Sequence, residues 1–183
     1  MVWTSRPVRK IYGQLRAPAD KSCSHRSLIL GGLARGKSII TGLLEGDDVR
    51  NTGRVMMELG ARLEHIGPGH WQITGVGDRG LQSPNIDLDF GNSGTGARLM
   101  MGVIAGYPIR AHLVGDTSLS ARPMARVLDP LERMGATYTA SAGGRMPLTL
   151  QGCAELKPIT YTPPHASAQV LSLIHISEPT RPY

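Results

Sequence analysis

The chain has 183 residues, of which 40% are hydrophobic and 19% charged, a composition that is typical of globular proteins and excludes a disordered chain. The formal net charge of +6 favours anionic partners, but the basic residues are scattered and aromatic residues make up only 4%, which argues against nucleic-acid binding. Two distant cysteines do not indicate a disulfide framework or a zinc site, and no apolar stretch is long enough to span a membrane, so we expect a cytoplasmic protein.

The first predicted elements are a helix, a strand, a second helix and a hairpin. The first helix contains SHRSLIL and continues to Leu33, and SIITGL follows it as a strand. In the second helix Asp47 or Asp48 caps the start and Gly60 ends it, and one face is apolar: Val49, Thr52, Val55, Met56 and Leu59. The runs ARLEHI and HWQITG, separated by a glycine-proline-glycine turn at residues 67–69, predict the hairpin.

The same order of elements recurs in the second half of the chain. RPMARVLDPLERMG predicts a helix that Gly135 ends, with an apolar face made of Met124, Val127, Leu128, Leu131 and Met134. ATYTAS and RMPLTLQG predict another hairpin, and LGAR at residues 59–62 aligns with MGAT at residues 134–137, a shift of 75 residues. We therefore predict an α/β fold with an internal repeat, whose unit is a loop, helix, strand, helix and hairpin.

The octapeptide GGLARGKS, at residues 31–38, matches the phosphate-binding loop of ATP- and GTP-binding proteins. Such a loop follows a strand and begins a helix, so that the N–H groups at the helix start face the phosphates. Here a predicted helix precedes the motif and a predicted strand follows it. This order argues against nucleotide binding, and we interpret Gly36 and Lys37 as a helix-ending glycine and a solvated cation at the helix C-terminus.

The starts of other helices offer a different anion site. Predicted helix starts at residues 21–22, 92–95 and 167–169 each expose unpaired N–H groups and small polar side chains. If the repeat brings them together, they form one pocket for a small phosphorylated or carboxylated ligand, into which the chain can supply Lys21, Arg26, Arg98 and Arg122. The alternative is that these cations are solvated at the surface, and that the polar residues are ordinary helix caps, namely Ser22, Asn92 and Ser167.

Five segments, in this order over residues 7–170, are similar to the first part of the EPSP synthase (3-phosphoshikimate 1-carboxyvinyltransferase) family: APADKSCSHRSLILGGLARG, LLEGDDVRNT, LDFGNSGTGARLMMG, ARPMARVLDPLERMGA and HASAQV. The resemblance implies an EPSP synthase-like inverse α/β barrel built of βαβαββ repeats, first domain only and incomplete. It implies transfer of the enolpyruvyl group of phosphoenolpyruvate to the 5-hydroxyl of shikimate 3-phosphate, without a metal or organic cofactor. It also implies a monomeric full-length enzyme.

The resemblance assigns substrate binding to nine residues: Lys21, Ser22, Arg26, Asn92, Gly94, Arg122, Ser167, Ala168 and Gln169. Lys21 is also implied to be catalytic, since it would contact both substrates. Asn92, Gly94 and Arg122 would lie on the phosphoenolpyruvate side, where Arg122 clamps the anionic groups. Residues 167–169 would line the shikimate 3-phosphate side.

The resemblance also divides the chain into three parts. Residues 1–17 would cross between domains, and residues 18–170 would form an incomplete substrate-binding domain with two repeats and the start of a third. Residues 171–183 are interpreted as a non-native tail, because LSLIHISEPTRPY resembles a translated sequencing adapter and contains the helix breakers Pro179 and Pro182. The family's acid/base carboxylate comes from the second domain, so we expect no turnover from this chain alone.

Departures from the family pattern are few, and two alternatives stay open. Ala19 and Ser93 stand where glycine and alanine are commoner, and Gly94 resembles the form that the inhibitor glyphosate affects. The related UDP-N-acetylglucosamine 1-carboxyvinyltransferase family usually has Lys-Asn in place of Lys21-Ser22, and a reactive cysteine in the loop where this chain has GDTSLSARP. The second alternative is a non-catalytic phosphate-binding fragment.

Overall fold

The computed structural model describes residues 4, 6, 7, 9, 10, 12–164 and 167–177. Its helices are α1 (Lys21–Leu33), α2 (Asp47–Glu58), α3 (Gly94–Ala105), α4 (Thr117–Ser120), α5 (Ala125–Met134) and α6 (Ala168–Ser177). Its strands are β1 (Lys37–Thr41), β2 (Arg62–Gly67), β3 (His70–Thr74), β4 (Leu88–Asp89), β5 (Arg110–Val114), β6 (Thr137–Ser141) and β7 (Arg145–Gln151). Parts of the predicted crossing segment and tail, including Pro179 and Pro182, lie outside the described residues.

The strands form two sheets that confirm the internal repeat. The first sheet has the order β1-β3-β2 and is antiparallel throughout. The second has the order β4-β5-β7-β6, in which β5, β7 and β6 are antiparallel like their counterparts and β4 is parallel to β5. Both repeats therefore run helix, strand, helix, hairpin, as predicted. The sequence did not indicate α4 and β4, because four and two residues are too few to show a periodic pattern.

Two equivalent glycines show the repeat at the level of single hydrogen bonds. Gly75 follows β3 and donates its N–H to the carbonyl oxygen of Gly36 at 3.0 Å, while Gly152 follows β7 and donates to that of Ile109 at 3.0 Å. Gly36 and Ile109 each come directly before the first strand of their repeat. The end of each hairpin is thus joined in the same way to the segment that follows the first helix.

Helix α3 lies in the centre of the core. Ten of its residues are buried, so apolar side chains surround the helix on all sides, as expected for a helix inside a domain. It packs against α1, α2, α5 and α6 and against both β5 and β7. Helices α2 and α5 bury the faces predicted for them, and every residue of those two faces is at most 3% exposed. Gly53 of α2 and Pro130 of α5 are buried as well. Hydrophobic periodicity therefore identified these helices and their orientation.

The end of α1 corrects one interpretation of the phosphate-loop motif. The helix precedes the strand, as expected, which rules out the strand-loop-helix order that a nucleotide loop requires. However, α1 ends at Leu33, and Lys37 is the first residue of β1, where it pairs with Thr74. Lys37 is therefore a strand residue and not a cation of the helix C-terminus, because Gly36, at φ +80°, turns the chain before it.

The start of α2 corrects a second expectation. Gly46 is the N-cap and supplies no side-chain hydrogen bond, while Asp47 and Asp48 lie in the first turn of the helix. Carboxylates in this turn are favourable beside the positive end of the helix dipole. The side chain of Asp48 is thereby available to a partner on another helix.

Helix α6 runs to Ser177 and so includes the first part of the predicted non-native tail. Leu173 is fully buried in the core together with Val170. A helical conformation does not bear on the origin of these residues, so the interpretation of residues 171–183 as non-native stays a prediction. Among the described residues, no helix has both the length and the apolar character that crossing a membrane requires.

Candidate functional site

The first turn of α1 carries two of the predicted substrate ligands. Asp20 caps the helix by accepting the N–H of Cys23 at 2.6 Å, and this hydrogen bond is the main reason that the pKa of Asp20 lies below its ordinary value. Lys21 and Ser22 follow directly, and the ammonium group of Lys21 forms an ion pair with Asp48 of α2. Asp20, and not Ser22, is therefore the cap, which leaves the Ser22 hydroxyl without a capping role.

Arg26 lies one turn further along α1 and points toward α6. Its Nε and Nη2 donate to the Ser172 hydroxyl at 3.1 and 2.9 Å, and its Nη1 donates to the carbonyl oxygen of Ser22 at 3.1 Å. At the start of α6, the hydroxyl of Ser167 accepts the N–H of Val170 at 3.3 Å. Ser167 is thus a helix cap, as the alternative interpretation expected, and the Ser172 that Arg26 contacts lies one turn into α6.

The second group of predicted substrate-binding residues lies at the start of α3. Ser93 caps the helix and Gly94 is its first residue. The side chain of Asn92 accepts from Nη2 of Arg122 at 2.7 Å and donates to Asp116 at 2.7 Å. Asn92 is therefore held between a cation and a carboxylate, and it orients the guanidinium group of Arg122 toward the beginning of the helix.

Two guanidinium groups face Gly94. A Cβ atom added to Gly94 would lie 3.1 Å from Nη1 of Arg122 and 3.1 Å from Nη1 of Arg98. Arg98 donates to the carbonyl oxygens of Gly94 and Pro123, while its Nε is buried and has no hydrogen-bond partner among the described residues. Burial, and then the neighbouring charges of Arg126 and Arg122, lower the pKa of Arg98.

The ion pairs between described residues do not include this arginine cluster, although the charge of Arg122 acts on Asp116 on the far side of Asn92. They join Lys21 to Asp48, Arg35 to Asp78 and His65 to Glu45, and none includes Arg98 or Arg122. Positive charges gathered at a helix start without a direct carboxylate ion pair are suited to an anionic ligand.

A buried contact lies between the two groups of predicted substrate-binding residues, on α1 and at the start of α3. His25 is fully buried, and its Nδ1 lies 2.8 Å from the hydroxyl of Thr52 in α2. A Cβ atom on Gly96 would lie 2.4 Å from the Thr52 hydroxyl, 2.7 Å from that of Ser93 and 3.4 Å from Cε1 of His25. The starts of α1, α2 and α3 therefore meet at this point, with Lys21 on one side and Gly94 on the other.

Residues 5–180 match the family model described as EPSP synthase (3-phosphoshikimate 1-carboxyvinyltransferase). The chain belongs to the EPSP synthase family. The 3-phosphoshikimate 1-carboxyvinyltransferase of Hyphomonas neptunium is 59% identical over 174 residues, which are 95% of this chain and 40% of that protein. The protein of the same name from Maricaulis maris is 55% identical over 170 residues, which are 93% of this chain and 37% of that protein.

A solved structure of EPSP synthase from Acinetobacter baumannii has the same fold. It matches with a TM-score of 0.85 at 38% identity, over 93% of this chain and 41% of that chain. The expected EPSP synthase fold is therefore confirmed for the residues described. The chain spans about two fifths of the length of the curated relatives it matches.

The geometry groups the residues that the EPSP synthase resemblance implies, and it adds others. Asn92, Gly94 and Arg122 meet at the start of α3. Lys21, Ser22 and Arg26 lie on the first two turns of α1, and Arg26 contacts Ser172 of α6. Sequence reasoning missed three contributors: Asp48, His25 and Thr52. Thr52 could have been noticed, because a hydroxyl on an otherwise apolar helical face requires a buried partner. The roles of the nine residues in an EPSP synthase reaction stay predictions.

Proposed function

We propose that this chain forms part of the substrate-binding region of an enzyme that transfers the enolpyruvyl group of phosphoenolpyruvate to the 5-hydroxyl of shikimate 3-phosphate. The observation that supports this most directly is the placement of Arg98 and Arg122 at the start of α3 without a carboxylate ion pair among the described residues. Two polyanionic substrates require such cations and helix N-termini. A cytoplasmic location and a monomeric full-length enzyme belong to the same proposal.

Each of the two groups of substrate-binding residues binds mainly one substrate. Lys21, Ser22 and Arg26 hold shikimate 3-phosphate together with residues 167–169, and Lys21 also reaches phosphoenolpyruvate. The Lys21 side chain is 50% exposed, so a phosphate or carboxylate can displace Asp48 from its ammonium group. On the other side, the hydrogen bonds from Nη2 of Arg122 to Asn92 and Ser118 leave its Nη1 directed at Gly94, where the phosphoenolpyruvate anion binds.

Proton transfer to the enolpyruvyl methylene group needs an acid or base that these residues do not supply. Asp116 accepts the N–H of Leu119 and the amide of Asn92, and these hydrogen bonds, in this order, lower its pKa. A carboxylate that stays ionised is suited to hold Asn92 but not to donate a proton. We therefore place the acid/base group in the part of the relatives that this chain does not span.

Titration of the 183-residue chain with shikimate 3-phosphate tests the proposal. We expect saturable binding, and the variants Lys21→Met and Arg26→Gln should each weaken it roughly 10- to 100-fold, because each removes a charge-assisted hydrogen bond. Lys37→Met is the matched control, since Lys37 lies on β1 and should leave the dissociation constant unchanged. Calorimetry with UDP-N-acetylglucosamine and ATP provides the comparison ligands. Tighter binding of either one, or equal losses in all three variants, would contradict the proposal.

A second prediction concerns Gly94 in an enzyme completed to the length of its relatives. Gly94→Ala brings a methyl group within 3.1 Å of both facing guanidinium groups, which must move by a few tenths of an ångström. We expect the KM for phosphoenolpyruvate and the inhibition constant for glyphosate to rise roughly tenfold, with binding of shikimate 3-phosphate unchanged. Steady-state kinetics measures both. If wild-type enzyme is inhibited only by millimolar glyphosate, the predicted sensitivity is wrong.

A further inference from the structure

Three buried polar side chains lie beneath the anion site, and two of them, His25 and Thr52, have no role among those assigned above. His25, Thr52 and Ser93 are fully buried and come from α1, α2 and the cap of α3. We call them the polar cluster. Buried polar groups are destabilising unless they are hydrogen-bonded, and each member of this cluster makes a hydrogen bond at the junction of three helix starts.

The hydrogen bonds favour one tautomer of His25. The hydroxyl of Thr52 donates to the carbonyl oxygen of Asp48 at 3.4 Å, one turn earlier in α2. It therefore accepts from Nδ1–H of His25 at 2.8 Å, since a hydroxyl has a single proton to donate. The lone pair of His25 is left on Nε2, which is buried and has no partner among the described residues.

The surroundings keep this imidazole neutral. Burial, and then the charge of Lys21, lower the pKa of His25 to about 4, although Asp48 acts in the opposite direction. Arg26 adds further repulsion, and these are the charges from α1 and α2 that act on the ring. A protonated His25 would have an Nε2–H group with no acceptor among the described residues, beside two cations that a ligand must neutralise.

We propose that His25 is a positioning residue of the anion site, whose neutral imidazole bonds Thr52 beside Gly96 and sets the start of α1 against the starts of α2 and α3. The Lys21–Asp48 ion pair and the His25–Thr52 hydrogen bond join α1 and α2 at successive turns, since the two contacts lie four residues apart along each helix. Through this contact His25 fixes Lys21 and Arg26 relative to Gly94 and Arg122. The inference rests on the proposed function, because it assigns a task to the same site.

Two substitutions at His25 test the inference. His25→Asn keeps an N–H donor near the position of Nδ1, whereas His25→Leu fills the space without a donor. We expect His25→Leu to weaken binding of shikimate 3-phosphate to the chain at least roughly tenfold and His25→Asn to restore most of the loss. The matched control is His112→Leu, because His112 bonds Thr149 at 2.9 Å in the same manner but lies on β5, away from the site.

The thermal midpoint separates positioning from stability alone. If His25→Leu and His112→Leu lower the midpoint alike and neither changes the dissociation constant, the inference is wrong. If His25→Leu does not fold, Thr52→Val takes its place, since it removes the acceptor and retains the imidazole. Binding by Thr52→Val as tight as that of wild type would equally overturn the inference.

Inorganic phosphate distinguishes a failure of this inference from a failure of the proposed function. Wild-type chain that binds phosphate but not shikimate 3-phosphate would contradict the proposed substrate, and the effect of His25→Leu on phosphate binding would then decide the inference. Wild-type chain that binds neither anion would overturn both. Nitrogen-15 NMR of the unliganded chain supplies an independent check, in which we expect the Nδ1–H tautomer of His25 at neutral pH.

Discussion

Alanine at Gly75 or at Gly152 is expected to lower the free energy of unfolding by about 3 kcal/mol in each case. A Cβ atom on Gly75 would lie 2.1 Å from the carbonyl oxygen of Ala34 and 2.6 Å from that of Gly31. On Gly152 it would lie 2.1 Å from the carbonyl oxygen of Ile104 and 2.2 Å from that of Tyr107. These are backbone atoms, so no change of rotamer can relieve the contact and the hairpin must move away from the helix.

Urea unfolding followed by circular dichroism measures this effect. Gly67→Ala is the matched control, because Gly67 also lies in a hairpin but has no atom within 4 Å of an added Cβ. We expect the control to change the free energy of unfolding by less than about 0.5 kcal/mol. If the free energy of unfolding falls by a similar amount at all three positions, the contact of the added Cβ atom with backbone carbonyl oxygens is not the cause of the loss at Gly75 and Gly152. Unequal losses at Gly75 and Gly152 would argue against equivalent packing in the two repeats.

Acidification from pH 7 to pH 4.5 is expected to cost the folded chain about 2 kcal/mol through His25 alone. Burial lowers the pKa of His25 from 6.5 to about 4 in the folded state, so the unfolded chain binds the proton more readily. The stabilising contribution is therefore fully present above pH 6.5 and is lost as the pH falls toward 4. The complete shift corresponds to about 3 kcal/mol.

Carboxylates with lowered pKa values contribute to the same acid sensitivity but in a lower range. The hydrogen bonds described for Asp20 and Asp116, and those from Gly69 and Trp71 to Glu45, hold the pKa of each group below its ordinary value, so their contributions are lost mainly below pH 5. Urea unfolding at several pH values, for wild type and His25→Asn, isolates the histidine. We expect the variant to have the flatter profile between pH 6.5 and pH 5. Parallel profiles would contradict a buried neutral His25.

Local patterns in the sequence were sufficient for the elements and the repeat. The apolar faces of α2 and α5 and the two hairpins depend on neighbours within a few turns, and the 75-residue shift follows from finding these local patterns twice; each appears in the structure. Local patterns did not predict the exact ends of two elements, the start of α2 and the start of β1. Gly46 replaced the expected aspartate caps of α2, and Gly36 directed Lys37 into a strand, because a single residue at a boundary decides such details.

Some features of the candidate site could be predicted from the sequence, and others depend on the tertiary structure. By itself, the sequence determined the family, the fold class and the order of cations and helix starts along the chain, since motif spacing is a property of the sequence alone. Only the tertiary structure decided that Lys21 meets Asp48, that His25 meets Thr52, and that Arg98 and Arg122 both face Gly94. These contacts join residues that lie on different helices or in different turns. The packing of α1 and α2 around α3 therefore selects the partners, because a hydrogen bond forms only between atoms that packing brings within about 3 Å.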